Sequence, residues 1–271
     1  MNLKTSLGIQ SEYVVSHLES ELDDRDDYLI FKTPNSPDYF FGNLLALKQP
    51  LASKTREEWE ACFDEAFKSI AGIRHRTFLW RYNENDLMEI VERFKQAGYQ
   101  YQEEHILAMN SHDLITPDQL NTDFEIRPLT DESDWQQWVE IGVEARDEGH
   151  AESDFRHYRL GRMNIYRALD EQGCGRFYGV FDAGRLIGYA GVYHLNGLAR
   201  FQDVMVLSGY RRRGIARTLI HHLAQWVAQY ADRQVIIADA HYHATVLYQN
   251  LGFRIVEREA GLCWWPKAEA V

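Results

Sequence analysis

The order of apolar runs and turn signals predicts an α+β chain. Its sheet is mixed but mostly antiparallel, flanked by helices, and divided between two related domains. Three observations carry this. A strand run containing Val204 and Val206 passes through Leu207-Ser208-Gly209-Tyr210-Arg211-Arg212-Arg213-Gly214 into Ile215, Leu219, Leu223, Trp226 and Tyr230. Those five lie three or four apart, as on one helix face. Before them, three strand runs are separated by Asp182-Ala183-Gly184-Arg185 and Asn196-Gly197, the turn chemistry of an antiparallel meander. Finally, the element order of residues 1–116 repeats the last two-thirds of the second half, and Phe94-Lys95-Gln96-Ala97-Gly98-Tyr99 echoes Tyr248-Gln249-Asn250-Leu251-Gly252-Phe253.

In the first half, Tyr28–Phe31 and Tyr39–Leu47 read as strands. Trp59, Phe63, Ala66, Phe67 and Ile70 follow at helical spacing. Then come strand Thr77–Trp80, a helix carrying Leu87, Ile90, Val91 and Phe94, and strand His105–Met109. In the second half, Phe124–Arg127 alternates as a strand until Pro128. Thr130 or Asp131 caps a helix with Trp135, Trp138, Gly142 and Ala145 on one side, and a second helix starts at Ser153. The meander is Phe177–Phe181, Leu186–Tyr193 and Ala199–Val206. After the long helix come strand Val235–Ala238, a helix with Ala244, Leu247 and Tyr248 stopped by Asn250 and Gly252, and strand Phe253–Glu257. Leu262–Pro266 is expected to cover a sheet edge or the domain interface.

The 271 residues are 45% hydrophobic and 13% aromatic, enough for one large core or two modest ones. No apolar run approaches the roughly 18 residues that span a bilayer, and the first residues lack a signal-peptide pattern, so a cytoplasmic protein without a membrane partner is expected. Cys62, Cys174 and Cys263 are too few and too scattered for a disulfide framework or a zinc site. A net charge of −12 argues against a nucleic-acid partner. Residues 1–115 hold 12 Lys and Arg against 20 Asp and Glu. Two readings of that excess stand: attraction of a cationic amine to a nearby cleft, or a soluble surface.

The strand-loop-helix step at Gly214 is where chemistry concentrates. Small residues let backbone approach a ligand, and the N–H groups of a helix start point at it, so an anion such as a diphosphate fits there. Neither of the familiar phosphate-loop patterns matches. The spacing Arg211-x-x-Gly214-x-Ala216 instead resembles the Arg/Gln-x-x-Gly-x-Gly/Ala signature of the GNAT superfamily of acyl-CoA-dependent N-acyltransferases. A second segment, Ala244-x-x-x-Tyr248-x-x-x-Gly252-Phe253, is similar to the superfamily's Ala-x-x-x-Tyr-x-x-x-Gly-Phe at the expected separation. The resemblance covers Phe124 to Glu257.

The resemblance implies a three-layer GNAT fold with a catalytic domain at 120–271. Residues 1–116 are then a degenerate copy without a cofactor loop, a tandem arrangement similar to that of mycothiol synthases. An unrelated α+β cap is the alternative. The resemblance further implies an acetyl group moved from acetyl-CoA to a small-molecule amine or a peptide by direct transfer, with no metal. Backbone from Arg212 to Ala216 would hold the diphosphate, with Arg211, Arg213, Ile215 and Arg217 beside it. Met205 and Val206 would bond the pantetheine arm, and a backbone N–H there would polarise the acetyl carbonyl.

Tyr248 is the candidate general acid, against a core aromatic as the plain alternative. Asp203 is a candidate base, against a structural hydrogen bond; Glu144, Glu148, Tyr193 and His194 stand behind it. His241 departs from the family, which usually has Asn there. Asp239, His241 and His243 alternate, but ordinary polar neighbours are expected rather than a metal site. Cys174 has no base placed beside it. A non-catalytic acyl-CoA-binding or regulatory protein on the same scaffold is the rival reading.

Overall fold

Continuous apolar runs along the strands of the first half, such as Leu29–Phe31 and Leu44–Leu47, bury both faces of a sheet, so helices must cover both. The computed structural model describes residues 5–82, 88–146, 149–241 and 244–266. By contacts the chain divides into two units. The first is Met1–Ile106 with Ala238–His241 and Val256–Val271, and the second is Leu107–Ile237 with Tyr242–Ile255. The ends of the chain are thus distributed differently from a cut at 116–120, since the C-terminal strand belongs with the first unit.

The first unit contains α1 (Leu7–Ser16), β1 (Glu21–Asp24), β2 (Tyr28–Lys32), β3 (Leu44–Leu47), α2 (Arg56–Phe67), β4 (Arg76–Arg81), α3 (Met88–Gln96) and most of β5 (Gln100–Asn110). Its strands neighbour one another in the order β1-β2-β3-β4, and β4 then takes β11 (Arg254–Trp264) as its antiparallel partner. Ile30, Leu45, Phe78 and Trp80 face Trp59, Phe63 and Phe67 of α2 and Phe94 of α3. The alternate residues Leu29, Phe31, Leu44, Ala46 and Leu79 pack on Ile9 of α1.

Two expectations for this half need correction, and two elements, α1 and β1, form before Tyr28 where the sequence reading named none. Helix α1 buries Ser11 and Ser16, whose hydroxyls donate to the carbonyls of Gly8 at 2.7 Å and Glu12 at 2.9 Å. Its buried face therefore mixes polar with apolar residues and hides the helical period. The run Tyr39–Leu47 is not one strand, because Phe40–Gly42 forms a 3-10 turn and only Leu44–Leu47 is extended. Buried Asn43 enforces the turn: its Oδ1 accepts from the Thr33 N–H at 2.9 Å while its Nδ2 donates to Thr33 Oγ1 at 2.8 Å. Finally, Leu262, Cys263 and Trp264 lie inside β11, paired with Phe78, Thr77 and Arg76, rather than over an edge.

The second unit contains β6 (Glu125–Pro128), α4 (Glu132–Glu144), α5 (Glu152–Glu171), β7 (Gly175–Asp182), β8 (Arg185–Leu195), β9 (Gly197–Val206), α6 (Ile215–Val227), most of β10 (Ala231–Asp239) and α7 (Ala244–Gln249). Strands β6 to β9 form the antiparallel meander, and β10 runs parallel to β9. Both hairpin turns need left-handed backbone, and Ala183-Gly184 and Asn196-Gly197 adopt it at φ 47, 84, 50 and 80°. Trp135 and Trp138 of α4 pack edge-on to Phe177 of β7, at 5.7 and 5.5 Å between centroids, which fixes the two-helix layer to the meander. No helix among the described residues is long and apolar enough to cross a membrane.

Because β11 is a core strand of the first unit, Leu262→Ala should lower stability by about 2–5 kcal/mol in urea unfolding. A loss below about 0.5 kcal/mol, typical of a surface site, would contradict this placement. A second test uses His75, which is 3% exposed and donates from Nε2 to the Asn43 carbonyl at 3.1 Å. Burial pushes its pKa down to about 4. The unfolded chain titrates this group near 6.5, so as pH falls from 6.5 to 4 only the unfolded state takes up the proton. Stability is then lost across that window at up to about 1.4 kcal/mol per pH unit and levels off below it. Paired urea midpoints at pH 7 and 4.5 should fall by less in His75→Gln than in the parent chain.

Candidate active site

Parallel strands bond along their whole length unless something parts them. Strands β9 and β10 are in register only from Gly197↔Ala231 to Arg200↔Val235. Strand β9 continues for six more residues, to Val206, with β8 on its other side. Residues Gln202 to Val206, Met205 included, are half-buried in what would otherwise be a sheet interior. This is an open strand edge whose N–H and C=O groups can pair with an extended ligand arm. The corresponding parallel pair of the first unit has no such opening: β3 is in register with β4 through its last residue, Leu47↔Trp80.

The loop after β9 ends at a bare helix terminus. A 3-10 turn, Ser208–Tyr210, leads to Arg211, and Arg212 and Gly214 both take left-handed backbone, φ 65 and 77°. A Cβ on Gly214 would meet Arg217 Nη2 at an ordinary 3.5 Å, so the φ rather than lack of space demands glycine. Helix α6 starts with no side-chain cap and no acidic residue in its first turn. Its first N–H groups therefore have neither an intrahelical acceptor nor a carboxylate competing for them. The loop is held from behind. Arg211 Nε donates to the Val206 carbonyl at 3.1 Å, Asn121 Nδ2 to the Arg213 carbonyl at 3.0 Å, and Arg217 Nη2 to the Gln119 carbonyl at 2.7 Å. Thr218 Oγ1 donates to the Gly214 carbonyl and accepts from the Asn121 N–H. Arg211, Arg212 and Arg213 are exposed, Ala216 is half-buried, and Ile215 anchors the helix in the core.

Helix α2, the matching helix of the first unit, is closed by its own sequence. Thr55 Oγ1 accepts from the Glu58 N–H, and the Glu58 carboxylate accepts from the Thr55 N–H at 2.7 Å, a complete capping box. Glu57 and Glu58 also place negative charge where a phosphate would go. The second unit thus pairs an uncapped helix terminus with a parted strand, whereas β3 and β4 stay in register and α2 is capped.

Asp203 sits at an irregularity that strict alternation did not foresee. Tyr189 pairs with Met205 and Gly191 with Gln202, so Asp203 and Val204 together oppose Ala190 in a β-bulge. Asp203 takes φ 54°, a left-handed conformation that costs an L-residue about 1–2 kcal/mol, least for Asn and Asp. Its carboxylate accepts from Arg159 Nη1 at 2.6 Å. Arg159, 6% exposed on α5, also donates from Nη2 to the Trp138 carbonyl at 3.0 Å and to the Tyr189 hydroxyl at 3.2 Å, and its guanidinium lies 3.3 Å over the Trp138 ring. Burial works against its charge, but Asp203 together with Tyr189 and Tyr158 outweighs it, so Arg159 stays above its ordinary pKa. Asp203 is thereby an ion-pair partner, which is the structural alternative to a free base.

Tyr248 is 6% exposed on α7. Its ring is 6.4 Å from Phe253, and Phe253 meets Phe201 of β9 at 5.7 Å, so two ring contacts place Tyr248 beside the point where β9 leaves β10. The remaining candidates fall elsewhere. Tyr193 is fully buried, stacked on Tyr166 at 5.4 Å, and burial raises its pKa well above the tyrosine range, so it is a core residue. His194 stacks face to face on Tyr230 at 4.6 Å. Glu144 is exposed, and Glu148 and His243 lie outside the described residues. His241, grouped with the first unit, is exposed and donates its N–H to Asp239 Oδ1 at 2.7 Å. The Cys174 thiol contacts the Gln172 carbonyl weakly, at 3.9 Å. Among the described residues no group of three or more His, Cys, Asp or Glu could hold a metal ion.

Arg159 is the residue that sequence reasoning missed. The signal was present: Arg159, Arg162, Met163, Tyr166 and Leu169 are the buried face of α5, a stripe at helical spacing that runs through two arginines. Charged residues on such a stripe are rarely buried unless paired.

Residues 143–264 match the family model of the acetyltransferase (GNAT) domain. No curated protein matches the sequence. Among solved structures, a functionally unknown conserved protein from Staphylococcus epidermidis superposes with a TM-score of 0.71 at 12% identity, over 92% of this chain and 95% of that one. A GCN5-related N-acetyltransferase from Kribbella flavida gives 0.63 at 13% identity, over 96% and 95%. A tandem GNAT protein from the clavulanic acid biosynthesis pathway gives 0.56 at 12%, over 95% and 89%. At these identities the likeness is one of fold, and it extends over nearly the whole chain.

Proposed function

We propose that this chain, whose residues 143–264 match the acetyltransferase (GNAT) domain model, is an acyl-CoA N-acyltransferase with acetyl-CoA as donor. The observation that carries the reading is the pairing, in one unit, of an open β9 edge with an uncapped α6 terminus behind three exposed arginines. A thioester with an extended amide arm and a diphosphate has the matching features: the arm continues the sheet and the diphosphate meets the N–H groups of Arg212 to Ala216. Charge-assisted bonds of this kind contribute roughly 1.5–3 kcal/mol each.

Transfer is direct. The acceptor amine, small molecule or peptide, attacks the thioester carbonyl carbon, the N–C bond forms and the C–S bond breaks. The β9 main chain near Met205 and Val206 supplies the N–H that polarises the carbonyl. The Tyr248 hydroxyl gives its proton to the departing sulfur and regains one from water, and the amine releases its own to water. A phenol is an acid of suitable strength toward a departing thiolate.

A second reading, a non-catalytic acyl-CoA-binding protein, draws support from one observation. The carboxylate at the β9 bulge is engaged in an ion pair with Arg159. Release of free coenzyme A across a panel of amines and peptides separates the two.

Two outcomes are expected. Coenzyme A raises the melting temperature by mass action, with calorimetry giving one molecule per chain because the α2 terminus is closed. Gly214→Val abolishes the shift, since a β-branched residue does not hold φ 77°. A stoichiometry near two, or an unchanged shift in the variant, contradicts the assignment. For Tyr248→Phe, donor affinity should persist while kcat falls by about 10²-fold or more. An unchanged kcat with chemistry rate-limiting makes Tyr248 a core aromatic.

A further inference from the structure

The ion pair between buried Arg159 and half-buried Asp203 has no place in the mechanism above. Its position gives it a use. A left-handed residue inside a strand breaks the ladder, and here it does so at the third residue past Arg200, the last position where β9 is in register with β10. One side chain then ties three elements to that residue. Arg159 of α5 reaches the Asp203 carboxylate of β9, the Trp138 carbonyl of α4 and the Tyr189 hydroxyl of β8. Tyr189 is itself the register partner of Met205, two residues beyond Asp203. The guanidinium therefore grips β9 twice, directly at Asp203 and through β8 opposite Met205.

Space around Arg159 is fully taken. A Cβ on Gly142 of α4 would fall 2.3 Å from Arg159 Nε, so helix α4 carries glycine where the guanidinium passes. With the Trp138 ring 3.3 Å below it, the arginine is clamped in one orientation. A planar fork with fixed donors transmits position in a way that a flexible ammonium does not.

We propose that Arg159 is a positioning residue for the acyl donor: by pinning the bulge at Asp203 it sets the direction of Val204 to Val206, the open edge that receives the donor's arm and polarises its carbonyl. This rests on the donor reading given above. Asp203 is then the hinge pin of the site rather than its base, and the two residues work as a unit.

The test uses the full chain, with coenzyme A as the calorimetric probe and release of coenzyme A from acetyl-CoA as the rate. Arg159→Met, close in volume and able to lie on Trp138, should weaken coenzyme A binding by about tenfold and lower the rate by at least as much. Asp203→Asn should do the same. The double variant should lose no more than the larger single loss, because residues in one network are not additive. Arg159→Lys should recover part of the binding, since an ammonium can still reach Asp203 but not all three acceptors.

Folded variants with parental affinity and rate, changed only in melting temperature, would overturn the proposal and leave the ion pair as a stability element. Tyr189→Phe keeps the test decisive should Arg159→Met not fold. It removes one acceptor while keeping the ring, and a two- to threefold loss of affinity is expected where no change would count against the pin. A parental chain that binds no coenzyme A would refute the donor reading itself, an outcome distinct from any difference among the variants.

Discussion

The second unit is organised around the parting of two parallel strands. Strands β9 and β10 share register over four residues of β9 and then separate, and the rest of the site exists because of that gap. Leaving a central strand edge unpaired is costly, since each buried peptide group without a partner forfeits a hydrogen bond. The chain offsets this by local devices. A bulge with a left-handed Asp203 redirects β9, a buried arginine fixes the bulge, and Phe253 fills the space beside Phe201 on the strand. The same divergence carries β9 into a loop that delivers a bare helix terminus.

The first unit is an internal control on this argument. It has a parallel pair joined by a helix, β3–α2–β4, in the same order as β9–α6–β10 in the second. Yet β3 is only four residues long and is in register with β4 to its end, and α2 is sealed by Thr55 and Glu58. The continuous register and the capping box are separate features, and each is at odds with holding a diphosphate beside an extended arm. What the first unit keeps is a packed aromatic core around Trp59, Phe63, Phe78 and Phe94, into which β11 sends Leu262.

Much of the second unit was legible in the sequence because its signals are local. Asn196-Gly197 and Ala183-Gly184 are turns that glycine and asparagine announce, and the α6 stripe is strongly amphipathic. Gly214 was legible for the same reason. The bulge was not, because an aspartate in a strand shows neither its φ nor its partner, and Arg159 lies 44 residues away. Helix α1 was hidden by buried serines that satisfy themselves on their own helix. The place of β11 depends on strand pairing far apart in sequence, which no window of residues contains.

The most direct measurement is amide hydrogen exchange of the whole chain with and without acetyl-CoA. Protection should appear in two stretches, Val204 to Val206 and Arg212 to Arg217, where the open edge and the helix terminus acquire acceptors. The matching stretch of the first unit, Leu47 to Glu58, should exchange alike in both conditions. Protection centred on Leu47 to Glu58, or acetyl-CoA binding that leaves Val204 to Arg217 unprotected, would contradict the account.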